Sequence, residues 1–175
     1  ITSNSNIGVL IYYSNVQSGV ATANAKSAYN SSSASTSSGP ITAKTQLPTT
    51  AQWKQISLES TTRSITNNSG ALQVSNFSYD GYASRLLTYQ EVIGGCGSTS
   101  LTSKCEFLLE STRYANSSGV DGYWLETIYN TTYAWRVHAG DRTILSNKYD
   151  NPVNQSTYFG VRPVIEVSKN MLDIN

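Results

Sequence analysis

His138 is the sole histidine in 175 residues, and Cys96 and Cys105 are the sole cysteines. Side chains of these types serve general-base, nucleophilic or zinc chemistry. A catalytic imidazole needs a positioned nucleophile or carboxylate, and no sequence signature supplies one. Tetrahedral zinc takes four ligands, which one His and two Cys do not provide. Tyr149-Asp150-Asn151-Pro152 is oxygen-rich, yet one Asp and one Asn fall short of the roughly six to eight oxygens of a calcium site. No acid/base pair and no phosphate-cradling loop stands out. The expectation is a binding protein with no cofactor, no metal site and no catalytic residue.

The two cysteines suit a bridge better than a reaction. Gly97-Ser98-Thr99-Ser100 between them is flexible enough to bring them together. A disulfide would close a loop of about ten residues and contribute roughly 2–3 kcal/mol in the chain-entropy model. The alternative is a pair of unrelated reduced thiols.

Composition points outward. Lys, Arg, Asp and Glu make up 13% of residues, against about 25% in a typical soluble domain. Ser, Thr, Asn and 12 Tyr take their place, a balance common in proteins displayed outside cells. The formal net charge is +1 with no Lys/Arg run, so nucleic acid and anionic membranes are not expected partners. The chain opens at Ile1 without Met, a signal peptide or an apolar stretch long enough to span a membrane. Any targeting segment is expected to have been removed or to lie outside it. Asn-X-Ser/Thr sequons such as those at Asn67, Asn76, Asn116 and Asn130 arise by chance in such a composition and matter only in a eukaryotic secretory host.

The positioning elements follow from pattern. Residues 7–13 form a short apolar run that fits a buried strand or a helix start. Residues 27–39 are nearly all Ser, Ala and Thr and read as a loop or linker. Capping-box spacings predict three helix starts, at Thr49 with Gln52, Thr88 with Glu91, and Ser103 with Glu106. The first would carry Trp53, Ile56 and Leu58 on its apolar side, and the second would stop at Gly94-Gly95. The last third alternates as strands do: Trp135 and Val137 against Arg136 and His138, then residues 161–167, with Gly140-Asp141 turning into Thr143-Ile144-Leu145. Pro163 cannot donate to a ladder, which places its strand at an edge or a bulge. Helices first and antiparallel strands last make an α+β domain.

Between the strand-like segments runs a stretch rich in Tyr, Asn, Thr and Ser. Tyr offers rigid amphipathic contact area, while Asn and Ser adapt their hydrogen bonds, as in paratopes. The residues expected to form or border a ligand-facing surface are Tyr129, Asn130, Tyr133, Arg136, His138, Arg142, Lys148, Tyr149 and Asp150. The bland alternative is a polar loop face in a polar protein. Trp124, Trp135 and Arg162 are expected to be structural, as buried indoles and an internally paired arginine.

Two resemblances extend this reading. Leu47-Pro48-Thr49 followed by Gln52-Trp53 resembles the helix start of formylglycine-generating (sulfatase-modifying) proteins and their relatives with a C-type lectin-like fold. Gly160-Val161-Arg162-Pro163-Val164 stands where a Gly-Phe-Arg strand closes that fold. Ser84-Arg85-Leu86-Leu87-Thr88, Cys96-Gly97, Ser103-Lys104-Cys105-Glu106-Phe107-Leu108, Gly122-Tyr123-Trp124-Leu125-Glu126-Thr127 and Gly160-Val161-Arg162-Pro163 resemble an uncharacterised domain family of Gram-positive gut bacteria. That family often follows a prepilin-type membrane anchor.

The likeness spans roughly residues 45 to 170 and implies two or three short helices packed on a small, mostly antiparallel sheet. The same fold carries the variable proteins of diversity-generating retroelements, whose rewritten segment is rich in Asn, Tyr, Ser and Thr; residues 129–133 and 146–151 have that composition. The catalytic cysteines of the formylglycine-generating family have no match, so its activity is not implied. The Glu-Pro-Asn or Gln-Pro-Asp loop and the Trp-Asn-Asp strand of calcium-dependent lectins are also missing.

Residues 1–44 are accordingly expected to be a polar N-terminal segment with a Ser-rich linker, and 45–175 a C-type lectin-like domain. The expected role is ligand binding or adhesion, extracellular and cell-surface or pilus associated, with a protein or glycan as ligand. The alternative is the globular head of a pilin-like filament subunit, with filament or cell-surface assembly partners.

Overall fold

The structure, a computed structural model, describes residues 6–101, 103–109, 120–146, 152–156 and 158–171. Its elements in chain order are β1 (Ile7–Ile11), β2 (Val16–Gln17), β3 (Val20–Ala21), α1 (Ile41–Lys44), β4 (Thr62–Thr66), β5 (Leu72–Ser78) and α2 (Tyr89–Cys96). A 3-10 helix (Ser103–Leu108) follows, then β6 (Gly122–Ile128), β7 (Ala134–His138), β8 (Thr143–Leu145), β9 (Val164–Ser168) and a closing 3-10 turn (Lys169–Met171). The architecture is α+β, built from small antiparallel sheets with few helices.

β6 is the spine. All seven of its residues are buried, and alternation sends successive side chains to opposite faces. Trp124 and Ile128 join one apolar cluster with Tyr29, Leu47, Phe77 and Phe159. Tyr123 and Leu125 join a second with Leu101, Leu108, Val137 and Val164. β7 pairs antiparallel with β6 on one side and β8 on the other. The strand begins at Gly122, whose φ of 135° and close approach to the Val137 carbonyl leave no room for a Cβ.

β1 pairs antiparallel with β9 from Ile7↔Ser168 to Ile11↔Val164. The apolar run at 7–13 is therefore a strand over its first five residues, Ile7–Ile11. Residues 6–44 also differ from the separate segment and linker expected above. Trp124 donates its indole N–H to the Ser27 carbonyl, the Tyr29 hydroxyl donates to the Glu126 carbonyl, and the Asn15 amide donates to the Gly122 carbonyl. Residues 27–39 lack helix and strand, as their composition predicts, yet Ala28, Tyr29 and Asn30 are buried. The Ser-rich segment is ordered because its few large side chains enter the common core and its backbone bonds to distant carbonyls, such as Asn30 N–H to Val153 at 2.9 Å.

The three capping boxes meet different fates. Thr88 Oγ1 accepts the Glu91 N–H at 3.1 Å, and the Glu91 carboxylate accepts the Thr88 N–H at 2.9 Å, so α2 starts where predicted. It continues through Gly94-Gly95 and ends at Gly97 with φ 75°, a left-handed cap. Thr49 and Gln52 exchange the same contacts, but they close a turn rather than open a helix, and the Gln52 amide is drawn off to the Ser18 carbonyl at 2.8 Å. The Ser103–Leu108 segment is 3-10, with Cys105 off helical geometry. Cys96 and Cys105 form a disulfide, tying the end of α2 to this segment. The β4–β5 hairpin turns at Asn67-Asn68-Ser69-Gly70, where Asn67 Oδ1 accepts from the Ser69 and Ala71 N–H groups.

Candidate ligand-contact site

The Tyr-rich surface is only partly assembled. Tyr129 and Asn130 are exposed and Tyr133 is half-buried, all at the turn from β6 to β7. Asn130 Oδ1 accepts the Thr132 and Tyr133 N–H groups at 2.9 Å each, so its amide builds the turn. Tyr129 stands edge-on to Trp135 at 5.6 Å, and Trp135 packs tilted on Tyr89 at 4.5 Å. These three rings make a half-buried aromatic face.

Arg136 and His138 do not join it, correcting the expectation. Both are buried, because their shared face of β7 packs against the buried Phe159 ring. The Arg136 guanidinium sits 4.6 Å from the Phe159 ring centre and 5.9 Å from that of Trp124. Burial pushes its pKa down to about 10, with Tyr133 and Asp121 pulling the other way, so it stays charged at neutral pH. His138 Nε2 lies 2.8 Å from Asp121, and its Nδ1 accepts the Asp141 N–H at 3.1 Å, which clamps the turn after β7. Arg142 is half-exposed and pairs with Glu106 at 3.0 Å. Lys148, Tyr149 and Asp150 lie outside the described residues. Trp124 and Arg162 are buried, and Arg162 donates to the carbonyls of Tyr12 at 2.6 Å and Leu108 at 3.0 Å.

A cluster of charge is internal. Arg85 donates to Glu91 at 2.6 Å and Glu166 at 2.7 Å. Arg63 reaches Glu126 at 3.1 Å, and the Tyr79 hydroxyl donates to the same carboxylate at 2.9 Å. Burial works against the charge on Arg85, but the hydrogen bonds and charge of Glu91, then of Glu126 and Glu166, outweigh it and hold the guanidinium above its ordinary value. Burial likewise opposes ionisation of Glu91, and Arg85 overcomes it, holding the carboxyl below its ordinary value. The network joins β4, α2, β6 and β9, with an arginine partner on each carboxylate; this is how a core carries charge without leaving it uncompensated.

A concavity lies at the end of β1. A groove of about 730 Å³ is walled by Leu10, Ile11, Tyr12, Tyr13, Trp53, Ile56 and Ile165, with Gln52, Lys54 and Gln55 completing it. Leu10 and Tyr12 face the same side because the strand alternates, and Ile165 stands opposite Leu10 in the register. The turn closed by Thr49 and Gln52 brings Trp53 alongside. The Tyr12 ring is tilted against Tyr13 at 4.6 Å and against Trp53 at 5.0 Å. Burial, then a hydrogen bond with Tyr13, raises the Tyr12 pKa, so the Tyr12 hydroxyl is neutral at physiological pH. Tyr13 is 62% exposed. Lys54 is the one charged residue lining the groove. Sequence reasoning passed over this site; its signal was the pair Tyr12-Tyr13 directly after an apolar run.

A second groove, of about 530 Å³, borders Val9, Ile11, Leu87, Val92, Phe107 and Leu108. Among the described residues no helix is long and apolar enough to cross a membrane. No family model, curated protein or solved structure matches this chain.

Proposed function

We propose that this chain is an extracellular ligand-binding or adhesion module, displayed at a bacterial surface, whose contact site is the groove walled by Tyr12, Tyr13 and Trp53. The carrying observation is that groove itself: exposed aromatic and aliphatic walls beside a single cation, in a chain whose clustered charges are tied up internally. Apolar surface of this kind in an otherwise polar protein marks an interaction site. The ligand is a protein or a glycan. The disulfide and the charge-poor, Tyr-rich composition support the location. The pairing of β1 with β9, entered through Gly160-Val161-Arg162-Pro163, supports the C-type lectin-like reading of the fold and the likeness to the Gram-positive domain family.

The test is a screen on glycan and protein arrays with three variants. Tyr13→Ala and Trp53→Ala are expected to lower binding at least severalfold, while Tyr129→Ala, on the other aromatic face, leaves it intact. Binding that survives both groove variants and disappears with Tyr129→Ala overturns the assignment.

A further inference from the structure

Among the described residues β1 has one ladder neighbour, β9. Tyr12 N–H donates to the Pro163 carbonyl at 2.9 Å, and Lys169 N–H donates to the Asn6 carbonyl at 2.9 Å. Bonded pairs alternate along an antiparallel ladder. Gly8 and Leu10 therefore bond to β9, and the N–H and C=O groups of Val9 and Ile11 point away from it. None of the five β1 residues is buried, none is charged and none is proline, and the register with β9 has no shift. Natural edge strands are blunted by charges, prolines or bulges. β1 carries none of these devices.

Two apolar grooves meet at this edge, and Leu10 and Ile11 border both. Leu10 and Tyr12 face the larger one. Val9 and Ile11 pack towards Leu87, Val92 and Leu108 at the other. An incoming strand would send successive side chains to alternate faces, and so into the two grooves in turn. The charges differ between them. Glu91 beside the second groove is held by Arg85, whereas Lys54 beside the first faces no carboxylate among the residues lining it.

We propose that β1 accepts an extended segment of a partner protein as an added strand, with apolar side chains in the two grooves and a carboxylate directed at Lys54. The inference rests on the ligand-binding reading of the groove and narrows its ligand to protein. A second copy of this chain pairing β1 on β1 fits less well, because Ile7-Gly8-Val9-Leu10-Ile11 brings no carboxylate to Lys54.

The experiment titrates the intact chain with three nine-residue synthetic peptides, Val alternating with Thr, that carry Glu, Gln or Lys at the centre. Affinity is expected to fall in that order by roughly two- to fivefold per step, the size of a partly exposed charge contact, and Lys54→Glu is expected to reverse it. The Glu peptide is then N-methylated at alternate backbone nitrogens in two complementary sets. One set is expected to abolish binding and the other to leave it unchanged, because only one set of N–H groups faces β1. Equal behaviour of the two sets overturns strand addition while groove binding stands. Failure of all three peptides, with array ligands still lost in Trp53→Ala, overturns the inference alone. Concentration-dependent dimerisation abolished by Leu10→Lys overturns it in favour of self-pairing.

Discussion

The Trp124 indole N–H donates to the Ser27 carbonyl at 2.8 Å, joining the buried central strand to a stretch of chain with almost no apolar side chains. The ring also packs edge-on against Tyr29 at 5.9 Å and Phe159 at 5.2 Å. One side chain thus fastens the N-terminal quarter to the spine. Trp124→Ala is expected to destabilise the fold by about 3–5 kcal/mol. Deleting residues 1–44 is expected to abolish cooperative melting, since it removes the β1 partner of β9 and takes Val16 and Tyr29 from the core. Circular dichroism melts check both; a truncated chain that melts like the whole would refute the integration of this segment.

The Cys96–Cys105 bridge spans a short loop between α2 and the 3-10 helix. Reduction is expected to lower stability by roughly 2–3 kcal/mol. Urea midpoints with and without reductant measure this, and the Cys96→Ser/Cys105→Ser double variant should be indifferent to reductant.

Two glycines should respond in opposite directions. A Cβ at Gly122 would meet the Val137 carbonyl at a φ of 135°, so Gly122→Ala should cost several kcal/mol, about as much as a large core truncation. Gly94 lies within α2 with open space around it, and Gly94→Ala should stabilise by about 0.5–1 kcal/mol. Thermal unfolding of the two variants decides the point.

Acid should weaken the fold through Glu91. Its folded pKa is depressed, so its contribution is present above the ordinary carboxylate value and is lost as pH falls through the lower folded value. Glu91→Gln should be less stable than the parent at neutral pH, and the gap should close below about pH 4.

Alkali should act through the buried phenols. Burial, then in part the charge of Glu126, raises Tyr29 and Tyr79, and burial raises Tyr123 against the pull of Arg162. Their contribution is complete below the unfolded value of about 10 and is lost as pH rises from there through the folded values. Absorbance titration should show these three ionising only as the structure opens; a single early wave for all phenols would contradict their burial.

Much of the local structure was legible. The Thr88–Glu91 box, the turn at Gly140-Asp141 and the alternation of Trp135 to His138 are each written within a few consecutive residues, where hydrogen bonding and side-chain period act directly. The same box at Thr49 did not make a helix, because the Gln52 amide bonds to Ser18, far away in sequence. The orientation of Arg136 and His138 was likewise out of reach: alternation says that two residues share a face, not what covers that face.

The sequence by itself determined a charge-poor, Tyr-rich α+β chain with a closable cysteine loop, since composition, caps and strand period are short-range properties. The tertiary structure alone decided which aromatic residues meet in a groove, which charges vanish into the core and which strands pair. Those outcomes depend on pairings such as Tyr12 with Trp53, Arg85 with Glu166 and β1 with β9, whose partners come together only when distant segments compete for the same buried surface.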